Sequence, residues 1–362
     1  MTRRIIFHMP LPIEESPNSA SGIRPRMMVN AFKELGYEVY LITGYVKERK
    51  AQFNELIKNV KNGLKYDFMY SESSTQPTAL TERNHLPIAP HLENRIFKYC
   101  KKKNIKIGLF YRDIHWVFPF YGEFLPKWQE VSAIYFYKKD LKLYERHIDI
   151  LYLPSIEMKK YLPNSEAFRI EELPPGHNLK KEIDKPLVEI EKVKLLYVGG
   201  LGAKYKLHKL FEGIEDNESI VCIISTRKEN WELVKNEYSL GGNVKLVHKS
   251  GKDLEPLYSS SNVSLLFVEP VEYWDFAVPF KLFEYIEKGL PMIVSEGTLV
   301  SKIIAENNFG WVIPYNADAL RELISHLEKN PDEIIEKTKI IREGAMNFTW
   351  KARAEKVIKD LS

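Results

Sequence analysis

The residues with the clearest chemical spacing lie between Val263 and Ser295. Val263 to Val268 is a short apolar run rich in β-branched and aromatic residues, which predicts a buried strand. A loop follows, and Pro279 fits the first position of a helix, where its missing N–H has no partner to lose. The helix is expected to reach Lys288 and stop at Gly289, with Pro291 just beyond and a strand from Pro291 to Val294. Such a strand–loop–helix–strand unit opens a helix N-terminus beside the carboxyl ends of the strands. Free N–H groups and the helix dipole favour an anion there. Lys281 falls in the first turn, where its ammonium can reach that anion, and Glu284 shares its face three residues on. A cation at a phosphate, with a carboxylate one turn deeper to accept ribose hydroxyl protons, would grip a nucleoside diphosphate. The plain alternative is an exposed Lys–Glu pair on a surface helix.

The pattern Pro-x-Lys-Leu-x-Glu-Tyr-x-x-x-Gly-x-Pro, from Pro279 to Pro291, resembles the donor-site signature of GT-B glycosyltransferases, in particular the large retaining group called family 4. The resemblance implies a nucleotide-diphosphate sugar as donor, with Lys281 and a second basic residue at the diphosphate and Glu284 at the ribose. It implies no obligatory metal and no cofactor, and no Asp-x-Asp metal motif is present. It also implies that His115, just past the predicted strand Ile107 to Tyr111 and beside Arg112 and Asp113, faces the donor sugar. Open α/β sheets bind ligands on that side. A structural histidine is the alternative.

The chain departs from the family pattern in two places. Val193 to Val198 predicts a strand, Gly199-Gly-Leu-Gly202 a turn, and 204–214 a helix, which is similar to the family's Val-Gly-Arg-Leu…Lys-Gly start. Here Gly200 stands where the arginine usually is and Tyr205 where the lysine usually is, leaving Lys204 or Lys206 as the substitute cation. The family also carries Glu-x7-Glu, whose first glutamate contacts the donor sugar. Phe276 occupies that place, so the contact falls either to Asp275 or to backbone amides of Asp275, Phe276, Ala277 and Val278.

A chain of 362 residues with 44% apolar and 28% charged content predicts two domains with a core each. Alternating β and α signals predict two doubly wound, Rossmann-like α/β domains facing across a cleft, the GT-B arrangement. A Pro-Pro-Gly at 174–176 places the hinge near Gly176, giving domains at 1–175 and 176–346. The amphipathic end, 347–362, is expected to cross back to the first domain, as in the resembling family. Lys180 to Lys194 reads as a charged linker. Ile5 to His8 predicts the first strand, followed by a loop to Arg24 and a helix starting at Pro25. Gly22 in that loop would let backbone approach a phosphate or acceptor, with Arg24 and Arg26 supplying charge. An ordinary connection with a turn glycine is the alternative. Ser71 to Leu86 lacks periodicity and reads as a surface loop, and Ser155 as the cap of a short helix.

Between Arg95 and Arg146 there are 12 Lys and Arg against 5 Asp and Glu, a local net of +7 in a chain of net +4. Aromatic residues interleave with them, at Phe118, Phe120, Tyr121, Phe124 and Trp128 among others. This composition suits an anionic acceptor or a membrane interface, or else a solvated basic face over an aromatic core. No nucleic-acid-binding pattern is present. No apolar run of about 18 residues predicts a membrane span, and Met1 runs straight into a strand, so a cytoplasmic enzyme without a signal peptide is expected. Cys100 and Cys222 lack metal spacing and read as core or surface thiols in a reducing compartment. The expected function is transfer of a sugar from a UDP or GDP donor to a glycan or lipid-linked acceptor, in cell-surface polysaccharide synthesis. A GT-B nucleotide-sugar epimerase and an inactive glycosyltransferase-like partner subunit are the alternatives.

Overall fold

A computed structural model describes residues 2–14, 20–118, 121–122, 125–179, 189–202, 205–215 and 217–362. The chain divides into two compact units, one formed by Met1–Pro175 with Trp350–Ser362 and the other by Gly176–Thr349. Most of the predicted linker, 180–188, lies outside the described residues.

The first unit runs β1 (Arg4–Met9), α1 (Ala20–Glu34), β2 (Glu38–Thr43), α2 (Val46–Lys61), β3 (Phe68–Glu72), α3 (Leu92–Lys102), β4 (Lys106–Phe110), α4 (Lys127–His147), β5 (Ile150–Leu153) and β6 (Ile170–Glu172). Its sheet is parallel throughout, in the order β2-β1-β3-β4-β5-β6. The second unit runs β7 (Lys194–Val198), α5 (His208–Ile214), β8 (Val221–Ser225), α6 (Lys228–Val234), β9 (Val244–Val247), α7 (Glu255–Ser260), β10 (Val263–Leu266), α8 (Phe280–Lys288), β11 (Met292–Ser295), α9 (Leu299–Asn307), β12 (Gly310–Ile313), α10 (Ala317–Lys329) and α11 (Asp332–Gly344). Its sheet is also parallel, in the order β12-β11-β10-β7-β8-β9.

Parallel strands need helical crossovers, so both faces of each sheet are covered and the strands read as apolar runs. The second unit shows the consequence residue by residue. On β7, Leu195 and Tyr197 enter one core with Leu210, Phe211 and Leu320, while Leu196 and Val198 enter the other with Leu282, Tyr285 and Ile304. In each sheet the first strand is interior and the order reverses beside it. The switch points therefore fall between β1 and β3 and between β7 and β10.

The last helix, α12 (Trp350–Leu361), is part of the first unit, where it packs on α1 and β4. It buries Trp350, Ala354, Val357 and Leu361. Gly108 on β4 makes this approach possible, because a Cβ there would stand 2.9 Å from Leu361 and 2.7 Å from Tyr152.

Three expectations are corrected. The helix after β1 starts at Ala20, not Pro25, so Gly22 and Arg24 are helical rather than parts of a loop. Pro25 sits inside that helix, where the one hydrogen bond it removes lies near the first turn. Ser71 to Thr81 is mostly buried: Ser71 and Glu72 belong to β3, and Thr78 N–H donates to Asp140 at 2.7 Å. The turn Ile156–Tyr161 is a 3-10 turn, and Ser155 makes no side-chain cap to it.

Candidate functional site

The carboxyl ends of β7 and β10 converge on the switch point of the second unit. β7 ends at Val198, whose N–H donates to the Tyr285 hydroxyl of α8 at 2.9 Å. The Gly199–Gly202 turn follows, with Tyr197 donating to the Gly200 carbonyl at 2.7 Å and Gly199 N–H donating to Ser225 O at 3.0 Å. Burial raises both phenols well above their usual range, so they remain neutral struts. The signature tyrosine thus acts by fixing the end of β7 against α8.

α8 starts one residue later than expected, with Pro279 as its N-cap. Proline supplies no side chain to cap the first N–H groups, of which that of Leu282 donates to the Pro279 carbonyl at 3.2 Å. Leu282, Phe283, Tyr285 and Ile286 anchor the helix in the core. Gly289 ends it with φ +69°, a left-handed conformation that glycine adopts at least cost.

Lys281 and Glu284 share the outer face of the first turn, both partly exposed, and are joined by an ion pair at 2.5 Å. Tyr258 of α7 donates to the same carboxylate oxygen, Oε2, at 2.6 Å. Both donors fall on Oε2, which leaves Oε1 for a further donor. Burial first, and then the Glu284 charge, raises the Tyr258 phenol far above its usual range and keeps its proton in place.

The other expected donor residues are distributed unevenly. Lys206 reaches across to Glu269, in the loop after β10, at 2.7 Å, and this hydrogen bond raises its pKa. Its carbonyl accepts from Glu269 N–H at 3.2 Å and from Tyr315 at 2.9 Å, so the segment after β7 is tied to the loop after β10. Lys204 lies outside the described residues. Gly200 is not forced to be glycine: a Cβ there meets Tyr205 at 3.7 Å, ordinary contact. Asp275 is exposed at the end of the 3-10 turn Glu272–Asp275. Phe276 and Ala277 are buried and Val278 is half-buried, so the Phe276 ring serves the core and packs on Tyr273 at 5.5 Å.

In the first unit, His115 opens a 3-10 turn (His115–Val117) beyond the end of β4 and is about one-quarter exposed. Asp113 Oδ1 accepts from the N–H groups of Ile114 and His115 at 2.7 and 3.1 Å, which folds the turn, while its Oδ2 stands 3.5 Å from His115 Nδ1. The Tyr137 hydroxyl is 3.5 Å from His115 Nε2, and the rings of Tyr121 and Tyr137 meet the imidazole edge-on. A histidine with a carboxylate at one nitrogen and a phenol at the other is held in orientation and can carry a proton.

Arg24 departs from expectation. It is 1% exposed and ion-paired at 3.3 Å with Glu72, itself fully buried, and its guanidinium lies 3.4 Å over the Phe110 ring. Arg112 holds the other Glu72 oxygen at 2.8 Å, and Tyr70 donates to the first at 3.0 Å. Arg24 is therefore half of a structural charge cluster, not a loop cation, and Gly22 lies two residues before it on the same helix. Arg26 is partly exposed. Among the described residues no three His, Cys, Asp or Glu gather as a metal site. Cys100 and Cys222 are both buried, which pushes each thiol up to about 12. The sequence carried no signal for Tyr258 at Glu284 or for Tyr137 at His115, each of which comes from another helix of its own unit.

Paired doubly wound units with a lysine–glutamate turn at the second switch point define the GT-B class. Residues 180–347 match the family described as glycosyl transferases group 1. The second unit is thus similar to that family, and the protein is a glycosyltransferase. The fold is similar over the whole chain to a sucrose-phosphate synthase from Thermosynechococcus elongatus, at 17% identity and a TM-score of 0.64, covering 99% of this chain and 98% of that one. It is similar to Anabaena HepE, crystallised with UDP and glucose, at 11% identity and a TM-score of 0.62, covering 99% of each chain. It is also similar to WaaG, a glycosyltransferase involved in lipopolysaccharide biosynthesis, at 14% identity and a TM-score of 0.53, again covering 99% of each. No curated protein matches the chain in sequence.

Proposed function

We propose that the protein moves a sugar from a nucleotide-diphosphate donor, of UDP or GDP type, to a glycan or lipid-linked acceptor in cell-surface polysaccharide synthesis. The observation that carries this reading is the Lys281–Glu284 pair, set on an uncapped helix N-terminus beside the switch point between β7 and β10. When a donor arrives, Lys281 exchanges Glu284 for a diphosphate oxygen. Glu284, still held through Oε2 by Tyr258, accepts ribose hydroxyl protons. The barrier to transfer falls as the leaving diphosphate's charge is stabilised and the acceptor hydroxyl is aimed at the anomeric carbon. Lys281, the helix N–H groups and Lys206 or Lys204 supply that stabilisation without a metal. For Lys206 this means leaving Glu269. His115 and Asp275 take the sugar, the acceptor enters on the side of the first unit, and the anomeric configuration is retained. HepE, crystallised with UDP and glucose, supports a UDP-type donor.

Among the described residues no helix is long and apolar enough to cross a membrane. The basic, aromatic composition of the first unit favours an anionic, lipid-linked acceptor at the cytoplasmic face of a membrane. Incubating the protein with UDP-, GDP-, CDP- and dTDP-sugars and following nucleotide release, with and without a lipid-linked acceptor, tests the proposal. Acceptor-dependent release with one donor is expected. Epimer formation without transfer, or no release with any donor, would overturn it.

A further inference from the structure

Helix α4 carries two apolar faces. Ala133, Tyr137, Leu141 and Tyr144 are buried against the first unit. On the opposite side Trp128, Val131 and Tyr135 are 71%, 58% and 59% exposed. At 3.6 residues per turn these three positions fall in one arc of about 100°, shared by Lys138, Lys139, Lys142 and Arg146 further along the helix. The stripe is therefore apolar in its first half and basic in its second. Its one neighbouring carboxylate, Glu145, stands at the margin of the arc.

Large apolar side chains are seldom left together in water, and three in register with four cations mark a contact surface. Beside the basic half opens a cavity of about 470 Å³, walled by Tyr135, Phe136 and the four cations on one side and by Pro90 and His91 on the other. Two carboxylates reach its lining, and both are engaged elsewhere: Glu93 with Arg49, and Asp140 with the Thr78 N–H. Burial also pushes Asp140 up to about 7. Among the described residues Lys138, Lys142 and Arg146 form no ion pair, so their charge is available to a partner.

We infer that α4 is a docking element for an anionic phospholipid bilayer. Trp128, Val131 and Tyr135 enter the interface, and the cations around the cavity receive lipid phosphates. An amphipathic helix lying in a bilayer needs this combination of aromatic anchor and basic residues, and an indole is suited to the head-group level. Charge complementarity decides between occupants: a protein groove would not require Lys138, Lys142 and Arg146, three cations without an ion pair among the described residues, around an open cavity, whereas a phosphate-bearing surface does. The inference deepens the reading of the first unit as the acceptor side and rests on it.

The test uses the full chain and no donor. Binding is read by sedimentation with vesicles of phosphatidylcholine alone and of phosphatidylcholine with phosphatidylglycerol, at low and high salt. Anionic vesicles are expected to bind the protein, and neutral ones not. Lys138→Ala and Lys142→Ala should each lower the partition coefficient roughly five-fold, and Trp128→Ala should lower it independently of salt. All three residues are exposed, so circular dichroism and melting should match the parent protein. Equal binding to both vesicle types, no binding at low salt, or variants that bind like wild type would each overturn the inference. Loss of binding to a soluble polyanionic glycan in these variants, with no vesicle binding, would reassign the face and also overturn it. Nucleotide release from the donor sugar, measured on the same preparations, keeps the two readings apart. Absent vesicle binding with intact release removes the docking surface and leaves the transferase standing.

Discussion

Lys281 is ion-paired with Glu284, so donor binding has to trade one charge-assisted contact for another. Lys281→Ala and Glu284→Ala should each weaken nucleoside diphosphate binding by about 1.5–3 kcal/mol while leaving the melting temperature unchanged, since both side chains lie on the outer face of α8. Calorimetry giving the parent affinity in both would remove the donor from this helix. Tyr258→Phe is subtler: it deletes the hydroxyl on Oε2 but keeps the ring. It should raise the donor KM by about five-fold with little change in kcat, as expected for loss of one neutral donor worth about 1 kcal/mol. At His115, the carboxylate and phenol on either side predict that His115→Ala lowers turnover by about 10²–10⁴ and barely moves the melting point. A large melting loss with normal turnover would make it structural instead. The identity of these side chains was legible in the sequence wherever the signature ran through consecutive residues. Tyr258 was not, because it lies 26 residues from Glu284 and meets it only through the fold.

At the scale of elements, α8 could be read before folding because its signals are local: a proline at the start, an apolar stripe, a glycine at the stop. The start of α1 could not. Proline at position 25 imitates a first-turn proline, and nothing in Ala20-Ser-Gly shows that the helix begins five residues earlier. The charge cluster behind it was hidden for the same reason, since Arg24, Glu72 and Arg112 are brought together by α1, β3 and the segment after β4. Ser71 to Leu86 looked like a surface loop because its polar residues have no periodicity, yet Thr78 in its inner part meets half-buried Asp140 and buried Tyr144, while the end from Arg83 to Leu86 is exposed. Glu72→Ala tests the cluster. It leaves two guanidinium groups without their shared counter-charge in the interior and should cost about 3–5 kcal/mol in stability, measured by urea unfolding. A variant as stable as the parent would show that these charges are hydrated rather than paired.

For the molecule as a whole, acid stability depends on a buried histidine of the first unit. His8 is buried at the end of β1, its Nδ1 2.8 Å from Ser71 Oγ, and burial followed by the Arg49 charge lowers its pKa from 6.5 to about 3. An unfolded chain would take up that proton near 6.5, the folded one only near 3. Unfolding therefore binds a proton between these values, and stability is full above pH 6.5 and lost as pH falls. His8→Asn should flatten that loss by on the order of 3 kcal/mol at pH 4, read from melting curves against pH. An unchanged slope would place the acid sensitivity elsewhere. The return of α12 to the first unit bears on a different process, the order in which a ribosome delivers the chain. Residues 1–175 emerge early, but the helix that covers Gly108 and Tyr152 comes only after residues 176–349. At roughly 5–20 residues per second that gap lasts some tens of seconds. During it the nascent first unit carries an uncovered face of β4, while the second, continuous in sequence, can close on its own. The earlier half of the chain is thus the later one to finish folding, and the face awaiting α12 is where a chaperone would find it.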